Sequence, residues 1–327
     1  MIASVRIAKS LRVMFAALAM CLGLTAAHGQ TGTIKLIVGY PPGATSDMLT
    51  RVLAEAMSKR LGQPVIVENK TGAGGQIGNM AVKTANADGT TLLMTPVATM
   101  SIFPHSFAGR LKYDPFQDFV PVAHLSNFQL GLGVSTRVPA KTLAEYIAWV
   151  KTDPAKHGMY GSAANGSLPH FFGVMFGKAA GLELSHVPYR GTAAAMQAVM
   201  GGEIDTLSTV AADIRSLVQS DKARLLAVAG EQRSPNFPDV PTFRELGFDL
   251  VAKPWYALFA PAGTPADVVA RLSKTAIESI ADPATKARLV EMGLEPTGLG
   301  PSELGAIMKA DYERWGPPIK ASGFKPQ

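Results

Sequence analysis

Short apolar runs alternate with amphipathic stretches along most of the chain. The run Ile34–Val38 is typical of a buried strand, and the stretch after it repeats apolar residues at a helical spacing from residue 48 to residue 57. Ser46 or Asp47 is expected to cap this helix, and Gly62 is expected to end it. Because strand and helix patterns keep alternating in this way, the sequence predicts an α/β fold.

The same patterns give the order of the remaining elements. Further strands are predicted at residues 64–68, 91–94, 184–187, near 204, and 223–229, and further helices at 142–151, 169–180, 192–200, 211–217, 266–280, 283–292 and 302–315. No repeat with a fixed period is visible. The elements therefore predict ordinary α/β lobes rather than a repeat array.

Two strand-like segments, at residues 128–134 and 256–259, are flanked by turn residues on both sides. They are expected to cross between two lobes, because a chain that leaves one lobe, builds a second and returns has two connections. The predicted division is 30–129 with 256–327 in lobe 1, and 130–255 in lobe 2. A ligand cleft between lobes is the usual consequence of this arrangement.

The first 29 residues have the pattern of an export signal. A basic head holds Arg6, Lys9 and Arg12, and an apolar run of about 15 residues leads to small residues just before Gln30. A membrane-spanning helix needs roughly 20 apolar residues, so a cleaved signal and a periplasmic protein are predicted instead of an anchor. The single cysteine, Cys21, lies in this run, where lipidation is the alternative; once the signal is removed, the chain has no thiol for disulfides or metals.

The charge of the chain favours a small anionic partner. Removing the three basic signal residues lowers the formal charge from +6 to +3, and no run of Lys and Arg is interleaved with aromatic residues. Such a chain lacks the electrostatic footprint of a nucleic-acid binder. Modest positive potential is enough to steer small anions.

Three junctions between a strand and a helix share one composition, at residues 42–47, 71–75 and 162–167. Each combines small residues with hydroxyl or amide donors at a helix start. A helix N-terminus presents unpaired N–H groups and partial positive charge, which suit a carboxylate. Plain capping explains any one junction equally well, but three of them, divided between two lobes, predict a shared carboxylate site.

Catalytic and nucleotide motifs are absent from the sequence. Gly72, Gly74 and Gly78 have the wrong spacing for a dinucleotide fingerprint, and no phosphate loop, Gly-x-Ser-x-Gly elbow or histidine pair at metal spacing occurs. No catalytic residue, metal or cofactor is therefore expected. A hydrolase that uses Ser162 or Ser167 with His170 remains the alternative from another class.

Individual side chains near these junctions have two possible roles each. His170 could donate to a bound carboxylate or pack at a helix start, and Asp47 could orient a ligand amine or complement the helix dipole. Tyr189 and Arg190 could supply a hydroxyl and a cation, or Arg190 could be a solvated charge.

Several segments together resemble the Bug family of extracytoplasmic solute receptors, which serve tripartite tricarboxylate transporters. They are Tyr-Pro-Pro-Gly at 40–43, Val-Glu-Asn-Lys-Thr-Gly-Ala-Gly-Gly at 67–75, Tyr-Asp-Pro at 113–115 with Asp-Phe at 118–119, Val-Pro-Tyr-Arg-Gly at 187–191, and Leu-Phe-Ala-Pro-Ala-Gly-Thr-Pro at 258–265. These segments occur in the same order as in the family, and the resemblance extends over nearly the whole chain after the signal.

The resemblance implies a type II periplasmic-binding-protein fold, in which two α/β lobes joined by two crossing strands close on a carboxylic acid. It implies no catalysis, a membrane permease as partner, and action as a monomer. With the junctions above, it predicts these ligand-binding residues: Tyr40, Pro42, Gly43, Ala44, Thr45, Ser46, Asp47, Gly74, Gly75, Val97, Ser162, Asn165, Ser167, His170, Tyr189, Gly191 and Thr192.

Two positions depart from the family pattern. Ala44 stands where a second glycine is usual, and Pro169 stands where a hydroxyl residue is common. Both leave the identity of the carboxylate open, whether aliphatic or aromatic, mono- or dicarboxylic, or amine-bearing. A ligand sensor for a signalling membrane protein is an alternative role for the same fold.

Overall fold

A computed structural model describes residues 32–326. The expected export signal, its cleavage site before Gln30 and Cys21 lie outside these described residues. The fold below belongs to the compact unit Ile34–Gln327. Within the part of the chain that the structure describes, no helix is long and apolar enough to cross a membrane.

Strands and helices alternate through this unit, as the sequence pattern predicts. The strands are β1 Ile34–Val38, β2 Val65–Asn69, β3 Thr91–Pro96, β4 Phe119–Phe128, β5 Leu130–Ser135, β6 Met159–Ser162, β7 Ser185–Pro188, β8 Thr206–Val210, β9 Ala223–Val228, β10 Trp255–Pro261 and β11 Leu294–Leu299. The α-helices are α1 Thr45–Leu61, α2 Gln76–Lys83, α3 Phe103–Ser106, α4 Leu143–Thr152, α5 Pro154–His157, α6 Leu168–Ala180, α7 Thr192–Gly201, α8 Arg215–Gln219, α9 Ala266–Ala281, α10 Pro283–Glu291 and α11 Pro301–Ala321.

The first sheet has six strands in the order β11-β4-β10-β3-β1-β2. β1 runs parallel to β2 and β3, and α1 and α2 provide the crossovers that parallel neighbours require. β10 is antiparallel to both β3 and β4. Four of the five residues of β1 are buried, which explains its nearly continuous apolar sequence.

The second sheet has five strands in the order β7-β6-β8-β5-β9. β6 pairs in parallel with β7 and β8, and β5 pairs antiparallel with β8 and β9. The helices α6 and α7 follow β6 and β7 directly. Their N-termini therefore lie at the carboxyl ends of those strands, where ligands bind in open α/β sheets.

The chain crosses between the two sheets twice. Only Gln129 separates β4 of the first sheet from β5 of the second, and β10 returns the chain to the first sheet after β9. The molecule is therefore a two-lobed α/β protein with one sheet in each lobe. In the text below, lobe 1 contains the first sheet and lobe 2 the second.

Apolar packing holds each sheet to its helices. Leu36, Leu93 and Leu258 are fully buried in the first sheet, while Tyr146 and Phe176 fill the space between helices of lobe 2. A smaller apolar cluster of lobe 2 lies beneath α7 and β8. The larger apolar cluster contains residues of both lobes, and the smaller one belongs to lobe 2 alone. Close packing of these residues keeps the shape of each sheet with its helices fixed.

The structure differs from the sequence prediction in the ends of some elements and in the presence of others. The N-cap of α1 is Ala44 rather than Ser46 or Asp47, and the predicted helix at 211–217 is a turn followed by the shorter α8. β4, β11 and the helical segment from Ala98 to Ser106 were not predicted. Proline and glycine within β11 hide its pattern, because those residues normally interrupt strands.

Candidate functional site

A cleft with a small inner chamber lies between the two lobes. The cavity volume of the inner chamber is about 80 Å³. Lobe 1 lines it with Tyr40, Ala44, Ser46, Val97 and Tyr256, and lobe 2 with Ala163, Ser167, Leu168, Gly191, Thr192 and Asp213. Tyr256 stacks on Phe128, with 4.4 Å between ring centroids, and gives the chamber an aromatic wall.

Three helices start at this chamber. Their N-cap residues are Ala44 for α1, Ser167 for α6 and Gly191 for α7, and none of the three caps its own helix through a side chain. The first N–H groups of a helix have no partner within the helix, so each start offers donors and partial positive charge. One helix start from lobe 1 and two from lobe 2 therefore border one space.

The loop before α1 is fixed by Asp47. The Asp47 carboxylate accepts hydrogen bonds from Gly43 N at 3.0 Å, from Arg51 Nε and Nη2 at 3.0 and 2.9 Å, and from Asn69 Nδ2 at 2.8 Å. Burial alone would raise the pKa of Asp47, but these hydrogen bonds outweigh it and hold the pKa below its usual value. Asp47 thus binds its own loop, and it does not line the chamber.

The polar loop of lobe 2, at residues 162–167, is likewise held by side chains that do not line the chamber. Gly166 N donates to His170 Nδ1 at 3.0 Å, and the ring of His170 stacks on His186 with 3.7 Å between centroids. Burial lowers the pKa of His170 to about 4; burial, together with the neighbouring His170, lowers that of His186 to about 3. Both rings are therefore neutral near pH 7, and they shape the loop from the side away from the chamber.

The hydroxyl groups of this loop are also occupied. Ser162 Oγ is buried, donates to Ala164 O at 3.1 Å and lies 2.7 Å from His186 Nε2, while Ser167 Oγ donates to Ala164 O at 2.7 Å. The structure does not pair either serine with His170, as the hydrolase alternative requires. The Ser162–His186 pair has no carboxylate hydrogen-bonded to the imidazole among the described residues.

A larger outer chamber of about 940 Å³ continues from the inner one, and the two share Tyr40, Pro41, Ala163, Ala164 and Gly191. The glycine loop at 71–75 and the turn at 188–191 form its walls, together with Asn165. Arg110 of lobe 1 and Arg190 of lobe 2 also line it, and none of its described lining residues is acidic. The outer chamber therefore attracts anions.

Glycine is required at two close approaches in this cleft. A Cβ on Gly39 would lie 2.6 Å from Gly75 O, so the glycine loop packs directly on the end of β1. Gly191 has a φ of +94°, and a Cβ there would lie 3.3 Å from Pro41 Cγ of the other lobe. The backbone of Gly191 in lobe 2 thus lies close to the side chain of Pro41 in lobe 1 at the rim of the chamber.

A groove of about 380 Å³ lies on the other side of the inner chamber. Pro42, Gly43 and Thr45 line it from lobe 1, and Met196 and Asp213 line it from lobe 2. Asp213 and Thr192 belong to both the groove and the chamber, so they form part of the partition between them.

The predicted site residues fall into four groups. The inner chamber is lined by Tyr40, Ala44, Ser46, Val97, Ser167, Gly191 and Thr192. The outer chamber adds Gly74, Gly75, Asn165 and Tyr189, and the groove adds Pro42, Gly43 and Thr45. Asp47, Ser162 and His170 line none of these cavities and support the loops that do.

Asp213 is a site residue that the sequence analysis missed. Its Oδ1 accepts hydrogen bonds from Thr45 N at 3.2 Å and from Thr45 Oγ1, so it reaches across the cleft to the first turn of α1. Burial raises its pKa, and hydrogen bonds from Thr45 and Thr192 oppose that rise. The predicted helix at 211–217 and the predicted strand near 204 concealed it, because β8 ends at Val210, three positions before Asp213.

Two α/β lobes, two crossings and a cleft bordered by helix starts define a two-lobed binding protein. The chain belongs to the Bug family of solute receptors, because the model of the tripartite tricarboxylate transporter family receptor matches residues 49–324. It is 31% identical to protein BugT of Bordetella pertussis over 299 residues, which are 89% of this chain and 90% of that protein. It is 35% identical over 292 residues to the UPF0065 protein in the gbd 5′ region of Cupriavidus necator, covering 87% and 88% of the two chains.

Solved structures confirm the predicted periplasmic-binding-protein fold. The periplasmic binding protein BugD superposes with a TM-score of 0.84 at 30% identity, over 90% of this chain and 99% of that one. An R. palustris protein with adipate gives 0.87 at 28% identity, over 91% and 100%. MatC from Rhodopseudomonas palustris with bound malate gives 0.81 at 28% identity, over 88% and 98%.

Proposed function

We propose that this protein is a periplasmic receptor that captures a small carboxylic acid in the cleft and delivers it to a membrane permease. The observation that carries the proposal is the meeting of three helix N-termini, from both lobes, at one chamber. None has a side-chain cap of its own, although Thr45 N of α1 donates to Asp213 of the other lobe. Such termini suit a carboxylate through N–H groups that have no partner within the helix and through their dipoles. The adipate and malate in two related structures are carboxylates too.

The mechanism is closure of two lobes around the ligand. Hydrogen bonds already join the lobes on both sides of the chamber, from Thr45 to Asp213 and from Ser106 Oγ to Gly166 O at 3.2 Å. A ligand that contacts both lobes binds the closed form more tightly and shifts the population toward it. The permease then distinguishes loaded from empty receptor by this shape. On this basis we divide the lobes at the predicted 129/130 and at 254/255, one residue before the predicted 255/256, because Trp255 pairs with Asn127 as the first residue of β10 in lobe 1.

We further propose that the receptor works as a monomer, without catalysis. General-base catalysis needs the base within hydrogen-bond reach of the nucleophile. His170 accepts from Gly166 N and does not reach Ser162 or Ser167, which donate to Ala164 O. His186 does reach Ser162, but no carboxylate among the described residues is hydrogen-bonded to its ring to orient it. Binding without reaction fits this arrangement better, and the ligand is expected to be recovered unchanged.

The test is a thermal-shift screen of the purified protein against mono-, di- and tricarboxylic acids, aromatic acids, amino acids, sugars and metal ions. A ligand at 100 times its dissociation constant adds about 2.7 kcal/mol to stability, so binders raise the unfolding midpoint. We expect shifts from acids alone. Shifts confined to sugars or metal ions would contradict the carboxylate function.

A pair of variants locates the binding in the cleft. Ala163→Phe places a large ring where the inner and outer chambers meet, whereas Ala262→Phe places the same ring on an exposed turn far from the cleft. The first is expected to abolish the acid-induced shift and the second to retain it. Equal shifts in both variants would mean that the acid binds elsewhere.

A further inference from the structure

Asp213 gives the inner chamber its single acidic side chain among the described lining residues. The side chain lies in lobe 2 but is hydrogen-bonded to Thr45, the first residue of α1 in lobe 1. It therefore occupies part of the helix start that a ligand carboxylate would otherwise use. A simple carboxylate placed there would face a second negative charge at short range, which is unfavourable in a poorly solvated cleft.

Asp213 also lacks a cation. No lysine, arginine or histidine in the described part of the chain forms an ion pair with it. Arg215, two residues later, lines the neighbouring groove, where it donates to Glu291 O and lies over the ring of Phe237. A carboxylate has about four acceptor positions, so hydrogen bonds from Thr45 and Thr192 leave room for another donor. An unpaired charge is costly in an apolar cleft, and burial raises the pKa of Asp213 accordingly. A bound cation would stabilise the ionised carboxylate and complete this group.

Two arginines lie toward the outer chamber. Arg110 and Arg190 line it, and the N-termini of α6 and α7 border the inner chamber. Because the chambers are continuous through Ala163 and Ala164, one small molecule can contact both ends. The cleft is thus negative at Asp213 and positive toward the outer chamber, which matches a molecule with an ammonium and a carboxylate.

We infer that Asp213 is a specificity-determining residue, which makes the receptor prefer carboxylic acids bearing a protonated amine over the same acids without it. The ammonium group binds the Asp213 carboxylate, and the ligand carboxylate binds the starts of α6 and α7 and the outer chamber. This inference rests on the proposed function, and it narrows the carboxylate class to amino acids in the broad sense, including those with the amine distant from the acid.

Calorimetric titration with matched acid pairs tests this inference. The pairs are alanine with propionate, 4-aminobutyrate with butyrate, aspartate with succinate, and glutamate with glutarate, and lactate and malate serve as hydroxyl counterparts. For the tightest-binding pair, we expect the amino member to bind at least tenfold more tightly than the unsubstituted acid. Asp213→Asn keeps the size and an acceptor for Thr45 but removes the charge, so it is expected to reduce this preference at least tenfold.

Two further variants make the result interpretable. Asp213→Ser replaces the carboxylate with a smaller uncharged side chain, and it is expected to lose the preference for amino acids as Asp213→Asn does. Asp249→Asn is the control, because the Asp249 carboxylate is 91% exposed, and it is expected to keep the preference. Thermal unfolding of each variant establishes that it is folded.

The outcomes separate the two proposals. Binding of acids with no amine preference, or a preference that Asp213→Asn retains, overturns the role of Asp213 and leaves the receptor function intact. Equal preference for hydroxy acids and amino acids overturns selection by charge. If no acid of any pair binds the wild-type protein but the thermal-shift screen finds another acid, the role of Asp213 is wrong and the receptor function stands. If no acid binds in either experiment, both are wrong.

Discussion

Single residues around the cleft divide into those that hold a loop and those that face the ligand. Asp47 and Tyr189 represent the two groups. The carboxylate of Asp47 accepts four hydrogen bonds, from its own loop, from α1 and from the end of β2, whereas Tyr189 lines the outer chamber. The Tyr189 hydroxyl has no hydrogen-bond partner among the described residues. The two side chains should therefore respond differently to substitution.

Asp47→Ala is expected to lower the free energy of unfolding by about 1 to 3 kcal/mol, because the buried Asp47 carboxylate is the acceptor for Gly43 N and Asn69 Nδ2, which lose their partner. Ligand affinity falls as well, since the loop before α1 loosens. Tyr189→Phe is expected to leave stability unchanged and to weaken ligand binding about threefold to tenfold, the value of one neutral hydrogen bond. Urea unfolding and calorimetric titration measure both quantities.

Asp267→Ala is the matched control for Asp47, because Asp267 is an exposed acid in the first turn of α9. It should change the free energy of unfolding by less than about 0.5 kcal/mol. Wild-type stability in Asp47→Ala, or wild-type affinity in Tyr189→Phe, would show that these side chains have been given the wrong roles.

At the scale of elements, sequence periodicity identified those with one clear apolar face or a continuous apolar run. β1, α6 and α9 lie within a residue or two of their predicted bounds. β4 was not predicted because Pro121 and His124 interrupt its apolar pattern, and its pairing with β10 and β11 comes from distant parts of the chain. Local periodicity contains no information about such partners, so tertiary pairing decides these strands.

Three histidines in α6, β7 and β4 should make the protein sensitive to acid. Burial lowers the pKa of His170 to about 4, and burial with the neighbouring His170 lowers that of His186 to about 3; burial also lowers that of His124 to about 4. In the unfolded chain their pKa is about 6.5. Below that pH the unfolded chain binds protons that the folded protein does not, so stability falls as the pH decreases from about 6.5 toward 4.

Between pH 6.5 and 5 the free energy of unfolding should fall by roughly 1 to 2 kcal/mol for each of these histidines. Most carboxylates of the unfolded chain titrate only below this range. Urea unfolding at a series of pH values measures it. His186→Gln removes one of the three groups and is expected to reduce the slope of stability against pH. An identical slope in the variant would mean that His186 is already able to bind a proton in the folded protein.

At the scale of the whole molecule, the sequence predicted a cleft between two lobes and most of the loops that line it. It could not predict which atoms of the two lobes touch. The contact between Thr45 and Asp213 joins residues 168 positions apart, and the contact between Ser106 and Gly166 joins residues 60 apart. These contacts depend on how closed the lobes are, and no local pattern encodes that.

The C-terminal segment provides a further contact between lobes and the last prediction. Phe324 follows α11 of lobe 1, and its ring packs edge-on against His170 and Phe171 of lobe 2, with 5.3 Å between centroids in each case. Such aromatic pairs contribute about 0.5 to 1.5 kcal/mol each. Because the contact exists only while the lobes are together, Phe324→Ala should favour the open form.

The expected result for Phe324→Ala is a larger radius of gyration without ligand, measured by small-angle X-ray scattering, and faster ligand dissociation. Affinity falls by the same factor as the closed population, since a receptor binds with an affinity reduced by its fraction in the competent state. Phe116→Ala is the control, because Phe116 is exposed and packs edge-on against Tyr312 within lobe 1. If both variants behave alike, Phe324 stabilises lobe 1 rather than the closed arrangement, and closure depends on the contacts around the chamber itself.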